Sequence, residues 1–277
     1  MNLRNRNKKR REMIAIGREV TGRRIRMIFY FSGTGNSKHV AKKVAKETGD
    51  RLIYMTQSKL KEGITYEIGK QETIGFVFPV YWYTLPTLVE RFIKQLHFSG
   101  YENQYMYAIA TFGFSAGNVM DRLEALLKEK KLKLNGAFGV KMVDNYVVGY
   151  DIISLDKQKE LLDKAEVQID QIIPFIEKRE HIQQITKGSL AFILPLTGYA
   201  YRKTDHSKKF HVNESCNGCT KCATQCPSET IEMVNGKPVW TGDCTFCLKC
   251  IHGCKQRAVQ YGKSTEKRGR YQYSREA

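Results

Sequence analysis

Apolar and polar residues alternate along residues 27–180 in blocks that predict strands and helices in turn. Five short apolar runs, each typical of a buried parallel strand, occur at residues 27–31, 52–55, 74–78, 105–111 and 137–142. Between them, apolar residues recur three or four positions apart, with lysines on the opposite side, as in helices at a protein surface. The pattern predicts an α/β fold, a doubly wound, five-stranded parallel sheet with helices on both faces.

The predicted helices have recognisable limits. They begin after the loop at 32–37, at Pro86, near Val119 and near Ser154. Gly49 can end the first helix, since glycine adopts the left-handed conformation common at helix ends. The last helix reaches about Lys178, and we expect Pro174 to bend it.

The pattern divides the chain into five segments. We expect a basic extension at 1–26, an α/β domain at 27–180, a linker at 181–204, a small cysteine-rich domain at 205–262 and a basic tail at 263–277. The apolar stretch 190–196 within the linker is a candidate contact between the two domains. It is too short to span a membrane.

Charge is concentrated at the two ends. The net charge of the chain is +18, with +8 on residues 1–26 and +3 on residues 263–277. Such ends could bind nucleic acid or anionic lipid, but we expect solvated, disordered tails. Residues 1–26 could also lie upstream of the true start, because Met27 directly precedes the first strand.

A loop between the first strand and the first helix carries the residues of an anion site. It comprises Ser32, Gly33, Thr34, Gly35, Asn36 and Ser37. Backbone N–H groups at the start of a helix attract a phosphate, the polar side chains add donors, and glycine lets the backbone close around it. Lys38 stands where a dinucleotide-binding loop needs its third glycine, so that motif is excluded.

Two further loops leave the same edge of the predicted sheet. Pro79, Val80, Tyr81, Trp82 and Tyr83 follow the third strand, and residues 111–118 follow the fourth. Ligands of open α/β sheets bind at the carboxyl ends of the strands. Three consecutive aromatic residues cannot all face one core, so we expect at least one of them in the site, although ordinary packing is the alternative.

The loop at 32–37 resembles the phosphate loop of the flavodoxins, a Thr/Ser-x-Thr-Gly-Asn-Thr/Ser run. The resemblance implies a flavodoxin-like domain that binds flavin mononucleotide (FMN). Besides the loop and residues 79–83, it implies FMN contacts from Thr111, Phe112, Gly113, Phe114, Asn145 and Tyr146. A flavodoxin-like domain with a vestigial site is the alternative.

All eight cysteines fall into two copies of the spacing C-x2-C-x2-C-x3-C. The copies are Cys216, Cys219, Cys222 and Cys226, then Cys244, Cys247, Cys250 and Cys254. Structural zinc usually takes two separated Cys-x2-Cys pairs, and disulfides suit an oxidising compartment. The spacing therefore favours two 4Fe–4S clusters over either alternative.

This spacing resembles that of the bacterial two-cluster ferredoxins, an α+β fold in which the fourth cysteine of each run binds the other cluster. The resemblance implies one cluster on Cys216, Cys219, Cys222 and Cys254, and the other on Cys244, Cys247, Cys250 and Cys226. Lys255 stands where a proline is usual. Residues 27–262 as a whole resemble the bacterial and archaeal flavodoxin–ferredoxin fusions.

The resemblance implies a cytoplasmic electron carrier that couples one-electron cluster chemistry to FMN. Its expected partners are redox proteins, including acidic ferredoxins or reductases. Two other functions stay open: a flavin-dependent reductase of a small organic substrate or quinone, and a polyanion-binding protein. No catalytic side chains stand out, and we expect His252, inside the second run, at the surface. The donor, acceptor, potentials and oligomeric state do not follow from the sequence.

Overall fold

A computed structural model describes residues 26–188 and 194–274 of the chain. The strands are β1 (Met27–Tyr30), β2 (Arg51–Tyr54), β3 (Thr65–Glu67), β4 (Thr73–Pro79), β5 (His97–Ser99), β6 (Tyr105–Phe112), β7 (Gly136–Lys141), β8 (Ile182–Gln184), β9 (Phe210–Val212), β10 (Ile231–Val234), β11 (Lys237–Trp240) and β12 (Val259–Tyr261). The helices are α1 (Asn36–Thr48), α2 (Gln57–Glu62), α3 (Thr87–Gln95), α4 (Val119–Glu129), α5 (Leu155–Glu177), α6 (Leu194–Lys203), α7 (Lys221–Thr224) and α8 (Lys249–Gly253).

A six-stranded sheet forms the centre of the larger domain. Its order is β2-β1-β4-β6-β7-β8, and every neighbouring pair is parallel. The first five of these are the five predicted strands, in the 2-1-3-4-5 order of flavodoxin-like sheets. The predicted fold class is confirmed, and β8 adds one strand at the edge.

Helices cover both faces of this sheet, as the apolar pattern predicted. On one face, α1 and α5 bury residues such as Val40 and Ile169 against β1, β6 and β7. On the other face, α3 and α4 bury Phe92 and Leu123 against Phe29 and other core side chains. Burial on both faces explains why the strands are apolar without alternation.

The cysteine-rich domain is small and has no continuous sheet among the described residues. It consists of two antiparallel pairs, β9 with β12 and β10 with β11, together with the short helices α7 and α8. Its core contains Phe210, Trp240, Phe246 and Ile251. Val147 of the larger domain belongs to the same core, so the two domains share apolar packing.

The expected linker and tail differ from the structure. Residues 182–184 pair with β7 as β8, and residues 194–203 form α6, where Tyr201 is buried. Residues 263–274 are not a solvated tail, because they pack against both domains and Tyr271 is buried. Aromatic side chains in these segments give them apolar surface to bury. The predicted extension, except Arg26, and most of the 190–196 stretch lie outside the described residues.

Hydrogen bonds join the domains directly. The Leu88 N–H donates to the side-chain hydroxyl of Thr245. The Tyr201 hydroxyl donates to the backbone carbonyl of Thr245. The Gln57 N–H donates to the carbonyl of Pro227 over 2.8 Å. These contacts fix the cysteine-rich domain beside the carboxyl edge of the sheet. Across the described ranges, no helix is long and apolar enough to cross a membrane.

Candidate cofactor sites

The loop after β1 turns sharply into α1. Gly35 makes this turn with φ of 108°, a left-handed conformation that favours glycine. Helix α1 starts at the next residue, Asn36. The first N–H groups of a helix have no partner within it and carry partial positive charge. The loop therefore presents backbone donors to an anion.

Side chains fix the loop in this shape. The Ser32 hydroxyl accepts from the Gly35 N–H at 3.1 Å, and Ser37 bonds to Thr111 at 2.7 Å. Thr34 accepts a hydrogen bond of 2.9 Å from the side-chain amide of Asn145. Because this oxygen already accepts, the Thr34 hydroxyl hydrogen remains for a ligand.

The loop forms one wall of a cleft. The cleft is lined by Ser32, Gly33, Thr34, Asn36, Ser37, Pro79, Val80, Tyr81, Thr111, Phe112, Gly113, Val143, Asp144 and Asn145. Twelve of these fourteen were among the predicted FMN contacts. Val143 and Asp144 were not, although they follow β7 at the same sheet edge and the strand-end rule could have found them.

Five predicted contacts do not line the cleft: Gly35, Trp82, Tyr83, Phe114 and Tyr146. Trp82 and Tyr83 have positive φ, of 50° and 62°, in a two-residue turn closed by reciprocal backbone bonds between Tyr81 and Thr84. This turn directs Trp82 towards the cysteine-rich domain, where its ring stacks against Tyr201. Phe114 is largely exposed.

One buried polar atom in the cleft lacks a partner among the described residues. The hydroxyl of Tyr81 makes no hydrogen bond to any residue in the ranges 26–188 and 194–274. Burial raises the pKa of this phenol well above its ordinary value, so the group is neutral and can donate. An unsatisfied buried hydroxyl costs about 1–3 kcal/mol, which a polar ligand would recover. The cleft thus fits a ligand with both anionic and polar groups.

The eight thiols line two cavities, and none is in a disulfide. One cavity, called the outer site here, is open and is lined by Cys216, Cys219, Cys222 and Cys254. The other, called the inner site, is smaller and is lined by Cys226, Cys244, Cys247 and Cys250. Each site combines three cysteines of one run with the fourth of the other, the grouping that the ferredoxin resemblance implies.

Within the described ranges, no three His, Cys, Asp or Glu side chains converge closely enough to hold a single metal ion. In a 4Fe–4S cube each thiolate binds a different iron atom, so the cube needs four more widely spaced thiols. Backbone N–H groups also point at sulfur, from Phe246 to Cys244 at 3.4 Å and from Ala258 to Cys254 at 3.3 Å. Such bonds stabilise the negative charge of a bound thiolate.

Burial separates the two sites chemically. Desolvation raises the pKa of Cys244 and of Cys247 to about 12 each, and it raises that of Cys250 as well. At the outer site, desolvation also raises the pKa of Cys222, but Cys219 is exposed. Buried thiols ionise only when positive charge compensates them, and bound iron supplies that charge.

The inner site touches the loop at residues 32–37. A Cβ placed on Gly33 would lie 2.6 Å from the carbonyl oxygen of Cys247 and 2.9 Å from the Tyr81 hydroxyl. Cys247 is buried within the core cluster of the larger domain. Glycine at position 33 therefore lets a cluster-ligand loop and the cleft come into backbone contact.

His252 is buried between the two domains, and the prediction of a surface residue was wrong. Its Nδ1 accepts from the Tyr271 N–H at 3.0 Å, so its Nε2 carries the hydrogen and donates to the Asn145 carbonyl at 2.8 Å. Burial lowers the pKa of His252 to about 4, so the ring is neutral at pH 7. The sequence suggested exposure because His252 is polar and lies in a short segment between cysteines. Its hydrogen-bond partners, however, come from distant segments of the chain.

Residues 208–266 match the family model described as a 4Fe–4S dicluster domain. The match overlaps the predicted small domain and includes all eight cysteines. None of the curated proteins matches the chain.

Solved structures similar to this chain correspond to about half of it. A flavoprotein from Bacteroides uniformis is 18% identical and covers 50% of this chain and 98% of its own, with a TM-score of 0.33. The Trp repressor binding protein from Bacillus subtilis is 15% identical and covers 51% of this chain and 96% of its own, with a TM-score of 0.33. The flavodoxin of Streptococcus pneumonia TIGR4 is 13% identical and covers 53% of this chain and 99% of its own, with a TM-score of 0.33.

At these TM-scores the solved structures carry no argument, and the fold class rests on the strand order. A flavodoxin-like 2-1-3-4-5 arrangement precedes a 4Fe–4S dicluster domain in one chain. The chain therefore joins a flavodoxin-like domain to an iron–sulfur domain, which confirms the predicted fusion.

Proposed function

We propose that this protein is an electron-transfer iron–sulfur flavoprotein, with FMN in the cleft and a 4Fe–4S cluster at each cysteine site. The contact between Gly33 and the Cys247 carbonyl carries the proposal, because it places a cluster-ligand loop against the flavin phosphate loop. A protein that only stored clusters would not need such contact.

The hydrogen-bond donors of the cleft support the assignment of FMN, because they can bind its phosphate. Thr34 keeps a free hydroxyl hydrogen because its oxygen already accepts from Asn145. Asn36 donates one amide hydrogen to the Val143 carbonyl and keeps the second. Together with the start of α1, these groups offer charge-assisted hydrogen bonds to a dianion.

The cysteine sites support crossed binding of two clusters. Each four-thiol cavity draws its fourth cysteine from the other run. Bound clusters exchange single electrons, whereas a bound flavin accepts two and can release them one at a time. The chain's own part is to hold these groups close together, with the inner site in contact with the cleft through Cys247 and Gly33.

The outer site is the expected point of exchange with a partner. Its cavity opens to solvent and Cys219 is exposed, whereas Cys247 at the inner site is buried. Lysines 221 and 255 line the outer cavity, so we propose acidic redox proteins as partners. Reduced thiols and intact clusters fit a reducing compartment such as the cytoplasm.

Comparing FMN with riboflavin tests the flavin assignment. Thr34→Ala removes a hydrogen bond to the charged phosphate, which costs roughly 1.5–3 kcal/mol, or about one to two decades in affinity. We expect FMN binding to weaken by that factor and riboflavin binding, which involves no phosphate, to change little. Calorimetric titration of the cluster-loaded protein measures both.

Thr73→Ala is the matched control. Thr73 is also a buried threonine, but it lies at the amino end of β4, away from the cleft. We expect this variant to bind both flavins as the unmodified protein does. Equal losses of FMN and riboflavin in Thr34→Ala would show that the loop does not hold the phosphate.

A further inference from the structure

Residues 265–274, called the strap here, leave the cysteine-rich domain and cross to the back of the phosphate loop. The Arg268 guanidinium donates to the carbonyl of Val147, and the Gly269 N–H donates to Asp151. Beyond these anchors, Tyr271 is buried among core residues that α1 and α5 cover. The strap thus reaches the flavin domain through specific bonds on both sides.

Tyr273 fixes one peptide of the phosphate loop. Its N–H donates to the carbonyl of Thr34 over 2.8 Å, and a Cβ on Gly35 would lie 2.8 Å from the Tyr273 Cβ. In a trans peptide the carbonyl and the following N–H point in opposite directions. Holding the Thr34 oxygen towards the strap therefore turns the Gly35 N–H away from it, towards Ser32, whose hydroxyl accepts it.

Tyr271 fixes the side chain of Asn36. Its hydroxyl donates to Asn36 Oδ1 over 2.6 Å, while Asn36 Nδ2 donates to the Val143 carbonyl over 2.9 Å. Because Val143 and Asn36 both line the cleft, this orientation places the amide nitrogen on the cleft side. Loss of the Tyr271 hydroxyl removes one of the two hydrogen bonds that hold the amide in this orientation. A rotated amide would present its oxygen, which would repel a phosphate.

The same tyrosine connects the loop to the cluster domain. The Tyr271 N–H donates to His252 in α8, and His252 donates to the Asn145 carbonyl. Asn145 in turn donates to Thr34. The hydrogen bonds thus link the cleft's phosphate donors to α8, the helix that contains Cys250 and ends next to Cys254.

We propose that the strap is a positioning element that sets the specificity of the cleft for a phosphorylated flavin over its phosphate-free form. The proposal rests on the proposed function, since it assigns the cleft to FMN. Tyr271 acts through the Asn36 amide and Tyr273 through the Thr34–Gly35 peptide. Neither side chain needs to touch the ligand.

Tyr271→Phe tests the proposal because it keeps the buried ring and removes only the hydroxyl. In the cluster-loaded full chain, we expect FMN to bind roughly 3- to 10-fold more weakly, the usual effect of one lost hydrogen bond, and riboflavin affinity to stay constant. A chain that ends after Arg270 loses both tyrosines, so we expect a larger loss confined to FMN.

Tyr105→Phe is the matched control. Its hydroxyl also donates to an oxygen of the same domain, the Glu180 carbonyl at 2.8 Å, but near the opposite end of β6. We expect both flavin affinities to be unchanged in this variant. Paramagnetic resonance of the reduced protein should show the same cluster signals in every variant, which excludes general unfolding.

The outcomes separate the two hypotheses. If the unmodified chain binds FMN no more tightly than riboflavin, the proposed function fails. If it prefers FMN and the ratio of the two affinities is unchanged in both strap variants, the positioning role is overturned. A loss of riboflavin affinity equal to that of FMN would also overturn it, because the strap would then only support the fold.

Discussion

The two cysteine runs have the same spacing, but the outer and inner sites that they form have different surroundings. In the first run, here the outer run, the first three cysteines are separated by Asn217, Gly218, Thr220 and Lys221. In the second, here the inner run, they are separated by Thr245, Phe246, Leu248 and Lys249. Phe246 and Leu248 are buried in the core of the cysteine-rich domain. The cysteine spacing sets how many ligands a site has, and the residues between the cysteines decide whether the site faces solvent or the neighbouring domain.

This difference assigns the two sites different tasks. The polar outer run leaves its cavity open, with Cys219 exposed. The apolar inner run lies against the flavin domain, where Cys247 contacts the phosphate loop through Gly33. Under the proposed function, the outer site would be the entry point for electrons and the inner site the relay to the flavin.

Removing the fourth cysteine of one run or of the other should have the largest effect. Cys226→Ala should remove the inner cluster, and Cys254→Ala should remove the outer one, because each residue lines the cavity of the other run. Each variant should lose about four of eight irons. Iron analysis and paramagnetic resonance would check this, and loss of the sequence-adjacent cluster would contradict the crossed assignment.

Gly33→Ala should break the contact between the inner site and the cleft. The new methyl group would meet the Cys247 carbonyl at 2.6 Å, closer than van der Waals contact allows. We expect FMN binding to fall by at least about tenfold and the inner cluster signal to change, since the backbone must shift.

Gly253→Ala serves as the control for this substitution. A Cβ at Gly253 would find its nearest atom at 3.4 Å, an ordinary contact, in a helix next to the outer site. FMN affinity and the inner cluster signal should remain as in the unmodified protein. A Gly33→Ala variant that behaved in the same way would refute the contact.

Removing one lysine from each site should have the smallest effect. Lys249 lies next to the inner site, is half-buried and has a pKa lowered by desolvation, while Lys255 at the outer site is exposed. Lys249→Gln should lower the reduction potential of the inner cluster by tens of millivolts, because a nearby positive charge favours the reduced, more negative state.

Lys255→Gln should shift the outer potential less, since solvent screens an exposed charge. Redox titration followed by paramagnetic resonance would resolve the two clusters. Equal shifts in the two variants would show that burial does not distinguish the sites.

The parts of the fold that depend on local pattern could be predicted from the sequence. Buried parallel strands are apolar throughout, so β1, β4 and β6 were visible as runs, and the loop at 32–37 was recognisable by its position after a strand. Most of the cleft follows from the rule that ligands bind at strand ends.

The parts that depend on distant pairing could not be predicted. Tyr271 and Asn36 are 235 positions apart, and no periodicity connects them. His252 looks like a polar residue in a short loop, and only the tertiary structure shows its partners Asn145 and Tyr271. Trp82 was expected near the ligand, but a turn with two positive φ angles directs it to the other domain.

The strap has a consequence for how the protein is made. A ribosome synthesises Asn36 235 residues before Tyr271, and nascent domains fold from the N-terminal side as they emerge. The sheet and its loop can therefore form while the cysteines are still untranslated, but the last bonds behind the loop form only after both cysteine runs have left the ribosome. Assembly of this protein should capture the phosphorylated flavin most firmly as its final step.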